Sequence, residues 1–106
     1  MKNIDISLFL NNNNAISHSQ GTTLYEEIKD LPIGTYKLSF INITRTTTSF
    51  LNASIGKLAV LNPSMINSFI FESNNPRIES KINSVLRNAK NYHSHDENIE
   101  NALLAI

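Results

Sequence analysis

Between residues 78 and 89 the apolar positions recur at intervals of four, three and four: Ile78, Ile82, Val85 and Ala89. On a helix with 3.6 residues per turn, that spacing makes one apolar stripe, which must be covered by another element. Just upstream, Phe69-Ile70-Phe71 sits in a short run, residues 67–72, that reads as a strand. The same change of period occurs twice more. Residues 2–10 alternate Ile4, Ile6 and Leu8 with Asn3, Asp5 and Ser7, which predicts a strand, and residues 22–31 place Leu24, Ile28 and Leu31 on one helical face. Residues 35–43 predict a central strand with Tyr36, Leu38 and Phe40 on one side and Ile41 and Ile43 on the other, covered at least in part on both faces. A helix from Phe50 to Leu61 follows, carrying Leu51, Ile55, Leu58 and Ala59. Strands that alternate with helices predict an α/β fold, and crossovers of this length make at least part of the sheet parallel.

The punctuation agrees with this order. Asn11 to Asn14 form a polar break, and asparagine tolerates left-handed backbone angles. Thr23 and Glu26 have the spacing of a capping box for the first helix, and Pro32 and Gly34 end it. Thr48 or Ser49 is the expected N-cap of the second helix, which Asn62-Pro63 stops. Pro76 suits the first turn of the last helix, over 77–89, where its missing N–H is not needed. A polar hinge over 91–97 then leads to Ile99, Ala102, Leu103 and Ile106, which share one helical face. The division expected is a domain over 1–90 and a hinge with a short amphipathic helical tail over 91–106.

A chain of 106 residues supplies one core. Nine Lys and Arg balance nine Asp and Glu, so the surplus of positive charge expected of a direct nucleic-acid binder is missing. Cysteine is absent, which removes disulfides, thiolate metal sites and cysteine nucleophiles. No signal peptide is read at the N-terminus, and no apolar run approaches the roughly 20 residues of a membrane span. The expected location is the cytoplasm, and Asn-x-Ser/Thr triplets at Asn42 and Asn52 then carry no glycosylation meaning.

Motifs of catalysis are missing too. The three glycines, Gly21, Gly34 and Gly56, form no phosphate-cradling loop, and no Gly-x-Ser-x-Gly elbow occurs. Glu26 and Glu27 are adjacent on a helix and point apart. His93 and His95 precede Asp96 and Glu97, but no matching ligand pair exists elsewhere to complete a metal site. His18 stands alone among Ser and Asn. These absences predict a protein that is not an enzyme and carries no cofactor or metal.

One cluster exceeds its structural need. Thr44, Thr46, Thr47, Thr48 and Ser49 lie between the central strand and the next helix, where capping and turn formation explain one or two hydroxyls. A helix N-terminus favours anions, so a phosphoryl group on Thr48 or Ser49 would be accommodated there and would add about two negative charges.

The run from Leu38 to Leu58 resembles the STAS-like bacterial domain family of unknown function: Phe40 closes the strand, Ser49-Phe50 opens the helix, and Gly56-Lys57-Leu58 falls within it. The strand Phe69-Ile70-Phe71, the Asn-Pro after it and the helix 77–89 stand where that family has them, so the resemblance covers about residues 1–90. It implies a STAS-like mixed β-sheet with helices packed mainly on one face. The better-known STAS proteins are anti-sigma-factor antagonists, in which phosphorylation of a serine at this helix start dissociates a complex. By position that acceptor is Thr48, with Ser49 beside it. The chain departs from the pattern at Ser39, where the strand-end Asp is expected, and at Thr47, before the acceptor. The implied role is a regulatory, partner-switching interaction module whose surface comprises Thr46, Thr47, Thr48, Ser49, Phe50 and Asn52. The implied partner is a histidine-kinase-like ATPase or a transcriptional regulator, with a homodimer left open. The alternative on the same fold is a small-molecule or nucleotide sensor that binds at the N-terminus of the helix starting near Phe50.

Overall fold

The computed structural model describes residues 2–92. Three short strands, β1 (Lys2–Asp5), β3 (Tyr36–Ser39) and β5 (Phe69–Glu72), form a sheet in the order β1-β3-β5, and both ladders are parallel. The strands join the sheet in sequence order and in one direction. Right-handed crossovers then deliver every connecting helix to the same face. That face carries Leu38 and Tyr36 into a core with Leu24, Ile28, Phe50, Ile55, Ile78 and Ile82. The opposite face presents Asn3, Lys37, Ile70 and Glu72, of which Lys37 and Glu72 form an ion pair at 3.3 Å.

The α/β class and the parallel crossovers agree with the sequence. A mixed sheet was the expectation, whereas every ladder among the described residues is parallel. The first strand is also shorter than its alternation predicts. It stops at Asp5, whose carboxylate accepts the Leu8 amide at 3.2 Å and so starts helix α1 (Ile6–Leu10). A side-chain cap outcompetes a two-residue period here, and Leu8 is left 78% exposed while Ile6 is buried. Asn11 ends α1 at φ 53°, the left-handed use anticipated for the Asn run.

Helix α2 (His18–Ile28) begins four residues earlier than predicted. Its capping box is made by Ser17 and Gln20, not by Thr23 and Glu26. The Gln20 side-chain Oε1 accepts the Ser17 backbone N–H at 3.0 Å, and the Ser17 hydroxyl accepts the Gln20 backbone N–H at 3.0 Å. Thr23 lies inside the helix and donates to the Ser19 carbonyl, while Glu26 pairs with Lys29 at 2.7 Å. The early start brings Gly21 into the helix against the next one. A Cβ there would stand 2.5 Å from the Phe50 carbonyl oxygen and 2.7 Å from the Ala53 Cβ, so glycine permits the close approach.

The second long helix is not uniform. It runs as α3 (Thr48–Leu51), a π-helical turn (Asn52–Gly56) and α4 (Lys57–Leu61). Within it the Ser54 hydroxyl donates to the Phe50 carbonyl at 2.9 Å, a back-bond that competes with the ordinary ladder. Gly56, with no Cβ, lets Val85 close in on this turn, since an added Cβ would lie 2.9 Å from the Val85 Cγ1. Helix α5 (Pro63–Ile66), absent from the sequence expectation, is capped by Asn62. Helix α6 (Pro76–Tyr92) buries Ile78, Ile82, Val85 and Ala89, as their spacing predicted, and starts with Pro76 in its first turn. It continues through residues 91 and 92, so the hinge predicted from 91 does not begin there. The rest of the hinge and the tail lie outside the described residues.

Candidate functional site

The hydroxyl run divides into a structural part and a free part. Two residues of the run, Arg45–Thr46, form β4 and pair in parallel with β2 (Asn14–Ala15), so the Asn-rich break and the hydroxyl run are one substructure. Thr46 is buried, its hydroxyl donating to the Ala15 carbonyl at 2.8 Å. The Thr46 carbonyl in turn accepts the Lys81 ammonium of α6 at 3.0 Å. Thr47 donates to the Ile16 carbonyl at 2.6 Å and accepts the Phe50 amide at 3.2 Å, which makes it the N-cap of α3. The cap predicted at Thr48 or Ser49 is thus one or two residues earlier. The reason is local: Thr47 has extended backbone, φ −129° and ψ 160°, while Thr48 and Ser49 already have helical places.

Thr48 and Ser49 are both exposed on the first turn of α3. Asn52 is exposed one turn on. Phe50, by contrast, is wholly buried in the core. Of the six residues expected to form one surface, the protein therefore brings Thr48, Ser49 and Asn52 to the outside. It keeps Thr46 and Phe50 inside and leaves Thr47 half-buried as the cap. Two cations belong to this corner: Lys81, on the Thr46 carbonyl, and Arg45, exposed on β4. Thr44, the other hydroxyl of the run, is exposed, and its amide donates to the Asn13 carbonyl at 2.8 Å.

A groove of about 470 Å³ opens further along the same helix. Its polar lining comes from His18 and Thr22 of α2, Asn52 of the π turn, Lys57 of α4 and Asn88 of α6. The Lys57 ammonium lies 4.6 Å from the centre of the Tyr25 ring, a cation–π contact at a partly exposed site. Asn52 belongs to both the groove and the exposed end of the helix. In the sequence His18 stands as a lone residue among Ser and Asn, and Lys57 carries no signal beyond the Gly-Lys-Leu motif. The signal that could have led to them is Ser54 and Gly56 inside a helical pattern, the pair that marks the π turn.

Among the described residues no group of three or more His, Asp and Glu could hold a metal ion. His93, His95, Asp96 and Glu97 lie outside the described residues. No helix among the described residues is long and apolar enough to cross a membrane. No family model matches the chain, and no curated protein and no solved structure matches it.

Proposed function

We propose that this chain is a small, non-enzymatic regulatory module of STAS-like type. It binds a protein partner through the exposed end of α3, and its state is set by phosphorylation of Thr48. The observation that carries the reading is the division of the hydroxyl run. Thr46 and Thr47 account for the structural needs of the β4–α3 junction, and Thr48 and Ser49 remain outside with no capping duty. Their place on the first helical turn favours a phosphoryl group electrostatically, and Lys81 and Arg45 add positive charge to the same corner. The shared order of Phe40, Ser49-Phe50 and Gly56-Lys57-Leu58 supports the STAS-like assignment. On this reading the protein works in the cytoplasm, and its partner is a histidine-kinase-like ATPase or a transcriptional regulator.

The test is capture from source cells with the wild-type chain and with Asn52→Lys as baits, alongside Gly34→Ser as a control in the exposed turn before β3. A partner held by the wild type and the control but lost with Asn52→Lys supports the reading. A partner held equally by all three sinks it. The groove beside Asn52 favours a second reading, a sensor of a small anionic ligand near Lys57. In that case nucleotides or small phosphorylated metabolites should raise the melting temperature of the purified chain, and Lys57→Ala should abolish the rise.

A further inference from the structure

The groove of the helical layer has a closed floor and an open polar rim. Ala53, Val60, Val85 and Ala89 are buried, and Val85 packs against Gly56, so the floor has no room for a large apolar side chain. What meets solvent is polar: His18, Asn52 and Asn88 are exposed and Lys57 is half-buried. We propose that this rim binds a small phosphorylated polyol, with the phosphoryl group on the Lys57 ammonium and the hydroxyls on the side-chain amides of Asn52 and Asn88. The proposal rests on the reading of the groove as a small-anion site and narrows its ligand to one class.

The π turn assembles the rim. Residues five apart on an ordinary α-helix stand about 140° apart around its axis. Here the Lys57 N–H donates to the Asn52 carbonyl, five residues back, and the wider turn brings both residues to the same groove. Single π turns inside α-helices are frequent at functional sites. Helix α2 adds His18 and Thr22, and α6 adds Asn88, so polar groups converge from three helices on a space of about 470 Å³. Concave spaces of that order, with a few converging polar groups, are the usual form of small-molecule sites.

Lys57 sets the charge of the ligand. Its ammonium lies 4.6 Å from the centre of the Tyr25 ring, which holds it without neutralising it. Neither ion pair among the described residues engages it, and no acidic residue lines the groove among them. The cation is a lysine, not an arginine. An ammonium is a compact charge with three donors and suits the terminal oxygens of a phosphoryl group, whereas a planar carboxylate is matched best by the fork of a guanidinium.

The rest of the rim sets the body of the ligand. The amides of Asn52 and Asn88 each carry an acceptor and two donors, the pattern that a hydroxyl group, itself donor and acceptor, satisfies. No Phe, Tyr or Trp lines the groove among the described residues, so it holds none of the rings on which a nucleobase commonly stacks.

Titration of the isotopically labelled full chain with ribose 5-phosphate, followed by its amide chemical shifts, tests this. Saturating shifts are expected at Thr22, Asn52, Lys57 and Asn88, with Asn3, Lys37 and Ile70 unmoved. Ribose and malate should bind about tenfold more weakly or worse, the loss that one charge-assisted hydrogen bond represents. Lys57→Gln should weaken ribose 5-phosphate by a similar factor. So should Asn88→Asp, which places a carboxylate at an exposed rim position and leaves the ligand-free spectrum of the core in place. Malate binding as tightly at the same amides overturns the phosphorylated class and leaves the small-anion reading standing. Adenosine monophosphate binding more tightly than ribose 5-phosphate overturns the polyol body in the same way. Shifts centred on Thr48 and Ser49, or shifts that never saturate, overturn the proposal. No binding of any of the anions overturns both it and the small-anion reading, and partner capture at the end of α3 is decided separately.

Discussion

The Thr47 hydroxyl donates to the Ile16 carbonyl at 2.6 Å and so ties the start of α3 to the loop that leads into α2. The same oxygen accepts the Phe50 amide. Removing it deletes a helix cap and a long-range bond at once. Thr47→Ala should destabilise the protein by about 1–2 kcal/mol in urea unfolding, the range for loss of such a cap. Thr47→Ser should recover most of that. Ser49→Ala and Thr48→Ala should stay within about 0.5 kcal/mol of the wild type, as expected for exposed side chains without such a role. A large loss at Ser49 with none at Thr47 would reverse the capping assignment.

Where the sequence misled, a side chain had bonded to nearby backbone and redirected the chain. Periodicity over Ile78, Ile82, Val85 and Ala89 was legible because burial of one face decides it, and nothing local competes. Asp5 is the contrary case, since a carboxylate capping Leu8 turns an alternating run into a helix. Ser17, Thr47 and Ser54 act likewise, each by a short-range bond that residue counting ranks equal to its neighbours. In the candidate site, the exposure of Thr48 and Ser49 was anticipated in kind. The burial of Thr46 was not, because it depends on pairing β4 with a two-residue strand 31 positions away. Ser54 and Gly56 are the only local marks of the π turn, and the close approach of Val85 to Gly56 is a long-range contact that they do not encode.

At Gly21 the ordinary helix rule should fail in sign. In a solvent-facing helix interior, Gly→Ala stabilises by up to about 1 kcal/mol. Here the new methyl group would meet the Phe50 backbone oxygen and the Ala53 Cβ well inside contact distance. Helices α2 and α3 would have to separate, so Gly21→Ala should cost about 1–3 kcal/mol, as for overpacking generally. Thermal or urea unfolding reads the sign. A stabilised variant would show that the two helices are not held this close.

Ile82 tests the packing of α6. It is buried on the sheet-facing stripe with Ile78 and Val85. Ile82→Ala should cost about 2–5 kcal/mol by urea unfolding. Leu61→Ala, at an exposed position, is the companion measurement and should change stability little.

Asp5 gives a pH dependence. The Ser7 hydroxyl, which donates to its carboxylate at 2.7 Å, is the largest cause holding its pKa below the ordinary value. Partial burial opposes this, and the Leu8 amide and the Asn42 side-chain amide add to it. A carboxyl group with a folded pKa below its unfolded value contributes stability that is present above the unfolded pKa. That contribution is lost as pH falls through the folded one. The wild type should therefore lose stability on acidification below about pH 4. Asp5→Asn should be less stable at pH 6 and should lose less on the same acidification. Parallel pH profiles of the two chains would contradict the assignment.

The last expectation concerns Thr48. A carboxylate there stands on the first turn of α3, where exposed amides and the helix dipole favour negative charge by about 0.3–1 kcal/mol. The Thr48 side chain is exposed and serves as no cap, so Thr48→Glu breaks nothing in the fold. Its melting temperature should equal or slightly exceed that of the wild type. Partner binding should nonetheless fall tenfold or more, because a surface met as neutral hydroxyls now carries charge that must be desolvated in the complex. Thr48→Val separates charge from shape. It keeps the volume and removes the hydroxyl, so it should preserve binding while preventing modification. Calorimetric titration of the captured partner against the three chains reads all of this. Equal affinities for Thr48→Glu and the wild type would show that the partner does not contact this helical turn, and phosphorylation at Thr48 would then have no means of switching it.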